Sequence, residues 1–156
     1  MTQASATPTP VFDTLDEAFD VLRASGLRVS APRRILLQEL LSANRLVTAE
    51  ELAEGLGGEV TVLDVSVVYR NLETLEGLGL VRHVHLGHGP GRYAIAAGGE
   101  REYLACMRCG AVLEAPADEF EPIREEIRER FGYEARFTHF PISGVCGECS
   151  SELPVA

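Results

Sequence analysis

The sequence contains no lysine, so all fourteen of its cationic side chains are arginine. Every fixed positive charge is therefore a planar guanidinium, suited to forked contacts with phosphate, guanine or carboxylate. No stretch approaches the roughly 20 consecutive apolar residues of a membrane helix, so no membrane partner is expected. The opening MTQASATPTP has neither a basic start nor an apolar core. It reads as a disordered tail rather than a secretion signal, and a cytoplasmic location is expected. Also missing are a nucleophile–base pair and a phosphate-cradling glycine loop, so no enzymatic activity is expected. Positive charge is in deficit, with 24 acids against 14 arginines and a net charge of −10. That excludes a general nucleic-acid coat protein. The deficit is uneven: residues 26–96 carry seven Arg against eight acids, and residues 97–156 six Arg against twelve. Only the middle of the chain would approach phosphate without strong repulsion.

What is present divides the chain in two. Phe12, Leu15, Phe19 and Leu22 share a helical face that ends at Gly26. Ser30 is positioned to cap a second helix carrying Ile35, Leu36, Leu40 and Leu41. Thr48-Ala49-Glu50-Glu51 has the form of a capping box opening a short third helix. Asp64 or Ser66 caps a fourth, with Val68, Leu72 and Leu75 inward and Gly77 or Gly79 closing it. Two β-rich runs then flank His88-Gly89-Pro90-Gly91, which signals a hairpin. Helices followed by a hairpin give the order of a winged helix-turn-helix. Ala97-Gly98-Gly99 reads as a hinge. Beyond it the pattern predicts strand, knuckle and strand over "EYLACMRCGAVLEA". A helix over "ADEFEPIREEIRERFG" follows, with Phe120, Ile123 and Ile127 inward, and then a strand leading into the last cysteines. The class is α+β.

The four cysteines form two C-x-x-C pairs, Cys106 with Cys109 and Cys146 with Cys149. In a cytoplasmic chain such pairs are metal ligands or catalytic thiols more often than disulfides. Two knuckles can turn four thiolates toward one Zn²⁺ at about 2.3 Å, and a closed four-sulfur site staples without catalysing. The alternative is two redox-active pairs. The βαβ context of a thioredoxin-like motif is missing for that reading.

"GLRVSAPRRILLQEL", "VSVVYRNLETLEGLGLVR" and "CMRCG…ISGVCGEC" together resemble the ferric uptake regulator family of bacterial metal-dependent repressors. The resemblance covers about residues 12–150. It implies a winged-helix DNA-binding domain over 12–96 and a zinc-stapled α/β dimerisation domain over 97–150, which leaves tails over 1–11 and 151–156. It also implies a homodimer on palindromic operator DNA. The family's T-V-Y-R stretch, on the helix that enters the major groove, falls here on Val67-Val68-Tyr69-Arg70. Tyr69 and Arg70 are thus candidate DNA contacts. Arg28 and Arg33, at the start of the second helix, are candidates to hold the DNA backbone. Val67 replaces the usual Thr and loses one hydroxyl donor.

The family's sensory metal ligands, commonly His, lie just before the first cysteine pair. Here those places hold Glu100 and Glu102 in one set, and Arg101 and Tyr103 in the other. Two further positions of the second set are Leu46 and Ala94. Its one matching acid is Glu114; Arg101 is expected either to form an ion pair with it in place of the metal or to point to solvent. Glu100, Glu102 and Glu121, with Thr138 and neighbouring His139, form a carboxylate-rich alternative that would suit a hard divalent ion. His83 and His85, alternate on the hairpin, are a further candidate pair. The expected function is a dimeric, sequence-specific repressor with structural zinc and an altered or lost sensory site. A thiol-based, peroxide-responsive regulator is the alternative.

Overall fold

The structure, a computed structural model, describes residues 10–57, 63–137 and 140–151. They form two compact units. One comprises residues up to His83 together with Arg92–Gly99; the other comprises Val84–Gly91 and the chain from Glu100. The division falls between Gly99 and Glu100, three residues later than the predicted hinge start. The reason is local: the Gly98 amide donates to the Phe12 carbonyl at 3.4 Å, and Arg82 Nη1 donates to the Gly99 carbonyl at 3.3 Å. Both contacts tie the glycines to the first unit.

In the first unit, α1 spans Leu15–Ala24, α2 Ala31–Ala43, α3 Ala49–Glu54 and α4 Val65–Gly77. Two capping boxes set starts, Thr14 with Glu17 for α1 and Thr48 with Glu51 for α3. In each, the hydroxyl accepts one orphan amide and the carboxylate another. The Asp64 side chain accepts the Ser66 amide at 2.8 Å and so opens α4. Ser30 stands at the N-cap of α2 without a side-chain cap, and Pro32 fills the first turn instead, where its missing N–H costs nothing. Asn44, at φ +46°, ends α2 in the left-handed region that Asn tolerates.

The predicted hairpin, β2 (Val81–Val84) and β3 (Arg92–Ile95), gains a third strand. The two-residue β1 (Val47–Thr48) pairs antiparallel with β3, Val47 opposite Tyr93, so β3 is central. Leu22, Leu36, Leu37, Leu40, Leu52, Val68, Leu72, Leu75 and Leu80 are buried in one core. At roughly 1.5–3 kcal/mol for each fully buried aliphatic side chain, this cluster dominates the unit's stability.

The second unit is thinner. β4 (Arg101–Cys106) lies between β5 (Val112–Pro116), antiparallel, and β6 (Ile142–Gly144), parallel. A 3₁₀ turn over Ala117–Phe120 precedes α5 (Glu121–Phe131), and α6 (Gly147–Ser151) ends the described chain. Pro122 sits in the first turn of α5 and supplies no N–H, which separates the 3₁₀ turn from the α-helix. Among described residues from 100 on, only Glu102, Tyr103, Cys106, Phe120 and Cys149 are buried. Helix α5 buries none of its residues, and Ile123, predicted inward, is 47% exposed. Three strands offer too little surface to cover its apolar stripe. The expected strand over 133–149 reduces to β6; residues 133–137 are irregular, and Thr138 and His139 lie outside the described residues.

Candidate metal centre and DNA-binding face

Cys106 closes β4, and Cys109 follows it round a tight knuckle. The Gly110 amide donates to the Cys106 carbonyl at 3.0 Å, and the Cys106 amide to the Ala111 carbonyl at 2.8 Å. Gly110 has φ +76°, a conformation that a side chain would strain. The parallel pairing of β4 with β6 places Cys106 opposite Gly144, two residues before Cys146. The Met107 amide also bonds the Gly144 carbonyl at 2.8 Å, and Arg108 Nη1 donates to the Cys149 carbonyl at 2.7 Å. The two knuckles are thus fixed against each other by backbone bonds as well as by sulfur.

The four sulfurs lie within 4.8 Å of one another, the one group of metal-ligating side chains that converges among the described residues. Cys109 Sγ and Cys146 Sγ are 3.8 Å apart. A tetrahedron with metal–sulfur bonds of about 2.3 Å has edges of about 3.8 Å, so the spacing fits a metal ion. The Cys106 sulfur accepts the amides of Cys109, Cys146 and Arg108, which pull its thiol down to about 6; the Cys146 N–H lies 3.4 Å away. The neighbouring thiols of Cys146 and Cys109, with burial, push Cys149 up to about 12. A dication at their centre removes that crowding penalty, so the donor set favours metal over four protons. Cys106 and Cys149 are buried and Cys109 is exposed.

The other candidate ligands are arranged differently. Glu102 is fully buried and ion-paired with Arg124 of α5. Arg124 Nη1 also reaches Glu121 at 3.4 Å and the Ala117 carbonyl at 2.8 Å, and its guanidinium lies 5.6 Å from the Phe137 ring centre. An arginine therefore stands among the carboxylates of the Glu100–Glu102–Glu121 set. Sequence reading missed it, because 22 residues separate it from Glu102. Burial raises the Glu102 carboxyl, and the Arg124 charge only partly offsets this. Arg101 Nε lies 3.6 Å from Glu114 Oε1. The pair is diagonal across the β4–β5 ladder, where Tyr103 faces Glu114 directly. His83 and His85 are not brought onto one ligand set. His83 stacks on Tyr93 at 4.5 Å with Nδ1 3.6 Å from Glu76, whereas His85 stacks on Phe140 at 5.8 Å.

On α4, Val68, Leu72 and Leu75 point into the core, which leaves Tyr69 and Arg70 outward. Tyr69 is 41% exposed. Its hydroxyl donates to Glu50 of α3, a bond that raises the phenol's pKa. Arg28 is exposed. Arg33 donates through Nη1 to the Arg28 carbonyl at 2.8 Å, so one of its nitrogens braces the loop before α2.

A helical unit with a β wing, joined to a strand unit clamped by four thiols, has the make-up of a metal-binding, DNA-binding transcription regulator. The chain belongs to the ferric uptake regulator family, whose model matches residues 24–140. It is 29% identical over 132 residues to the ferric uptake regulation protein of Neisseria meningitidis serogroup A, covering 84% of this chain and 92% of that one. It is 22% identical over 138 residues to the peroxide-responsive repressor PerR of Staphylococcus epidermidis, covering 88% and 91%. Among solved structures, the Helicobacter pylori ferric uptake regulator superposes with a TM-score of 0.71 at 23% identity, over 90% of this chain and 97% of that one. A zinc uptake regulator complexed with zinc and DNA gives a TM-score of 0.54 at 20% identity, over 87% and 92%. No helix among the described residues is long and apolar enough to cross a membrane.

Proposed function

We propose that this chain is a homodimeric, sequence-specific repressor that lays α4 into the major groove of palindromic operator DNA. One structural Zn²⁺ per chain is held by Cys106, Cys109, Cys146 and Cys149. The observation that carries this reading is the outer face of α4. Tyr69 and Arg70 stand exposed on a helix whose opposite face is locked into the core, so a base edge or phosphate can reach them without unfolding anything. Arg70 contacts a phosphate or a guanine edge, and the Tyr69 ring a thymine methyl. Arg28 takes the adjoining DNA backbone, with Arg33 bracing its loop. Zinc supplies no reaction here; it closes the knuckles and holds β6 against β4. A second copy of the chain covers the exposed Leu113, Phe131, Tyr133 and Phe140, apolar area that one chain leaves in water.

The test is selection of bound duplexes from a random double-stranded library by the purified protein, with zinc counted and mass measured in solution. An enriched inverted repeat, one zinc per chain and a dimer are expected. Enrichment of no sequence overturns the reading. The PerR relative favours a second reading, response to peroxide, which in this chain would run through the cysteines. Retention of the zinc under peroxide separates the two.

A further inference from the structure

We propose that Arg101 and Arg124 each stand where one of the family's two sensory ligand sets would gather its ion, one on each face of β4, so that DNA binding needs no metal beyond the one in the cysteine cluster. This rests on the reading of the chain as an operator-binding regulator.

The case is built on β4. Arg101 and Glu102 are consecutive, so their side chains leave opposite faces of the strand. On one face Arg101 Nε sits 3.6 Å from Glu114. On the other, Glu102 is fully buried against the Arg124 guanidinium, which also reaches Glu121. Arg101 thus pairs with Glu114 on one face, and Arg124 with Glu102 and Glu121 on the other. Arg101–Glu114 is partly exposed and holds little by itself; its effect is to put a full positive charge where a dication would bind, and the two repel. Arg124 is more committed. Its side chain is 15% exposed, and it spends two nitrogens on Glu102, Glu121 and the Ala117 carbonyl. A metal entering there must expel the guanidinium and leave it unpaired beside the ion. The remaining positions of the Arg101 set are Leu46, Ala94 and Tyr103, none of them a carboxylate, imidazole or thiolate. A sensory ion shifts a population in proportion to its free concentration. An arginine of the same chain has no such dependence, and the arrangement it stabilises is permanent.

The experiment uses the full chain purified with its cysteine-bound metal. Mn²⁺ is titrated in, bound metal is counted, and affinity is measured for the duplex selected as above, with and without a chelator too weak to strip four thiolates. The expected result is one metal per chain throughout and a duplex affinity that changes less than about twofold. A sensory ion would couple to DNA by about tenfold or more. Arg124→Ala should take up one further Mn²⁺ on the vacated carboxylates and gain thermal stability from it, whereas the parent does neither. A second Mn²⁺ per chain in the parent overturns the proposal. So does an Arg124→Ala protein that folds and still ignores Mn²⁺. If Arg124→Ala does not fold, the metal count on the parent decides. Failure to bind any duplex counts against the regulator reading, while the metal count still tests the arginines.

Discussion

The Tyr69 hydroxyl donates to the Glu50 carboxylate across 2.9 Å, which links the outer face of α4 to the start of α3. The phenol's one proton is therefore spent inside the protein, and the ring itself is left to touch DNA. Tyr69→Phe should change affinity for the selected duplex less than about threefold, whereas Tyr69→Ala should weaken it by tenfold or more, on the scale of about 1–3 kcal/mol for a direct base contact. Equal losses in the two variants, read by fluorescence anisotropy, would put the hydroxyl on the DNA.

Arg70 carries no such internal bond among the contacts described. Arg70→Ala should weaken binding by about 1–3 kcal/mol, and the pattern of loss tells what it touches. A uniform loss with the salt slope reduced by about one identifies a phosphate; a loss confined to one base position identifies a guanine. Titration at several salt concentrations, on the parent duplex and single-base variants, distinguishes them.

Of the four cysteines, Cys106 is the one that belongs to a strand: it ends β4 and accepts the Cys146 amide. Cys106→Ser should lose the metal and the β4–β6 pairing, because ion affinity at such a site is folding free energy. The second unit should then exchange its amides freely while the first keeps its protection. Hydrogen exchange by mass spectrometry reads both, and a protected second unit in the metal-free variant would contradict a stapling role.

Thr48 closes a capping box in which its hydroxyl accepts the Glu51 amide at 3.1 Å and Glu51 accepts the Thr48 amide at 2.7 Å. Thr48→Ala should cost the first unit about 1 kcal/mol, or about 4–8 °C in melting temperature for a unit of this size. Calorimetry on the full chain is the check, with the second unit's transition unmoved.

One carboxyl in each unit should answer acid with a sign opposite to the other's. The Thr48 amide, with Arg45 adding to it, holds the Glu51 carboxyl below its ordinary 4.5. A depressed carboxyl stabilises the fold above its ordinary pKa, and that contribution disappears as pH falls through the lower folded value. Glu102 is raised, chiefly by burial. A raised carboxyl favours the protonated fold, so its penalty is present at neutral pH and fades as pH falls through the raised value toward 4.5. Measured against Glu102→Gln, whose amide does not titrate, the parent should therefore gain stability as pH falls from neutral through the raised value. Comparing the two proteins at each pH isolates this group, because both carry the same cysteines.

The parts of this fold that were legible in the sequence are those written within a few residues. Thr48 and Glu51, Asp64 before α4, and the three-residue spacing of each cysteine pair all act over one turn. So did the Val68, Leu72 and Leu75 face, and each had a local signature. Thr14 and Glu17 carry the same capping signature and could have been found. Strand β1 could not, because two residues have no periodicity and Val47 is made a strand only by Tyr93, 46 positions on. Arg101 and Glu114 were legible as a pair only through the ligand positions that the family resemblance lends them. Arg124 was hidden: on α5 it looks like one charge among many, and only the packing of that helix turns it toward Glu102. The exposure of Ile123 was hidden for a related reason. Its helical spacing says that it should be covered, but not by which chain.

The alternation along β4 restricts how this protein can change over evolutionary time. Arg101, Tyr103 and Ala105 leave one side of the strand, while Glu102, Leu104 and Cys106 leave the other. A point substitution at Leu104 or Ala105 leaves that alternation intact. Insertion or deletion of a single codon between Glu102 and Cys106 does not, because it would turn one flank to the wrong side: either the thiol, or the buried acid together with the arginine. Sequence drift in this strand should therefore proceed by replacement at constant length, with length variation confined to the loops beyond it.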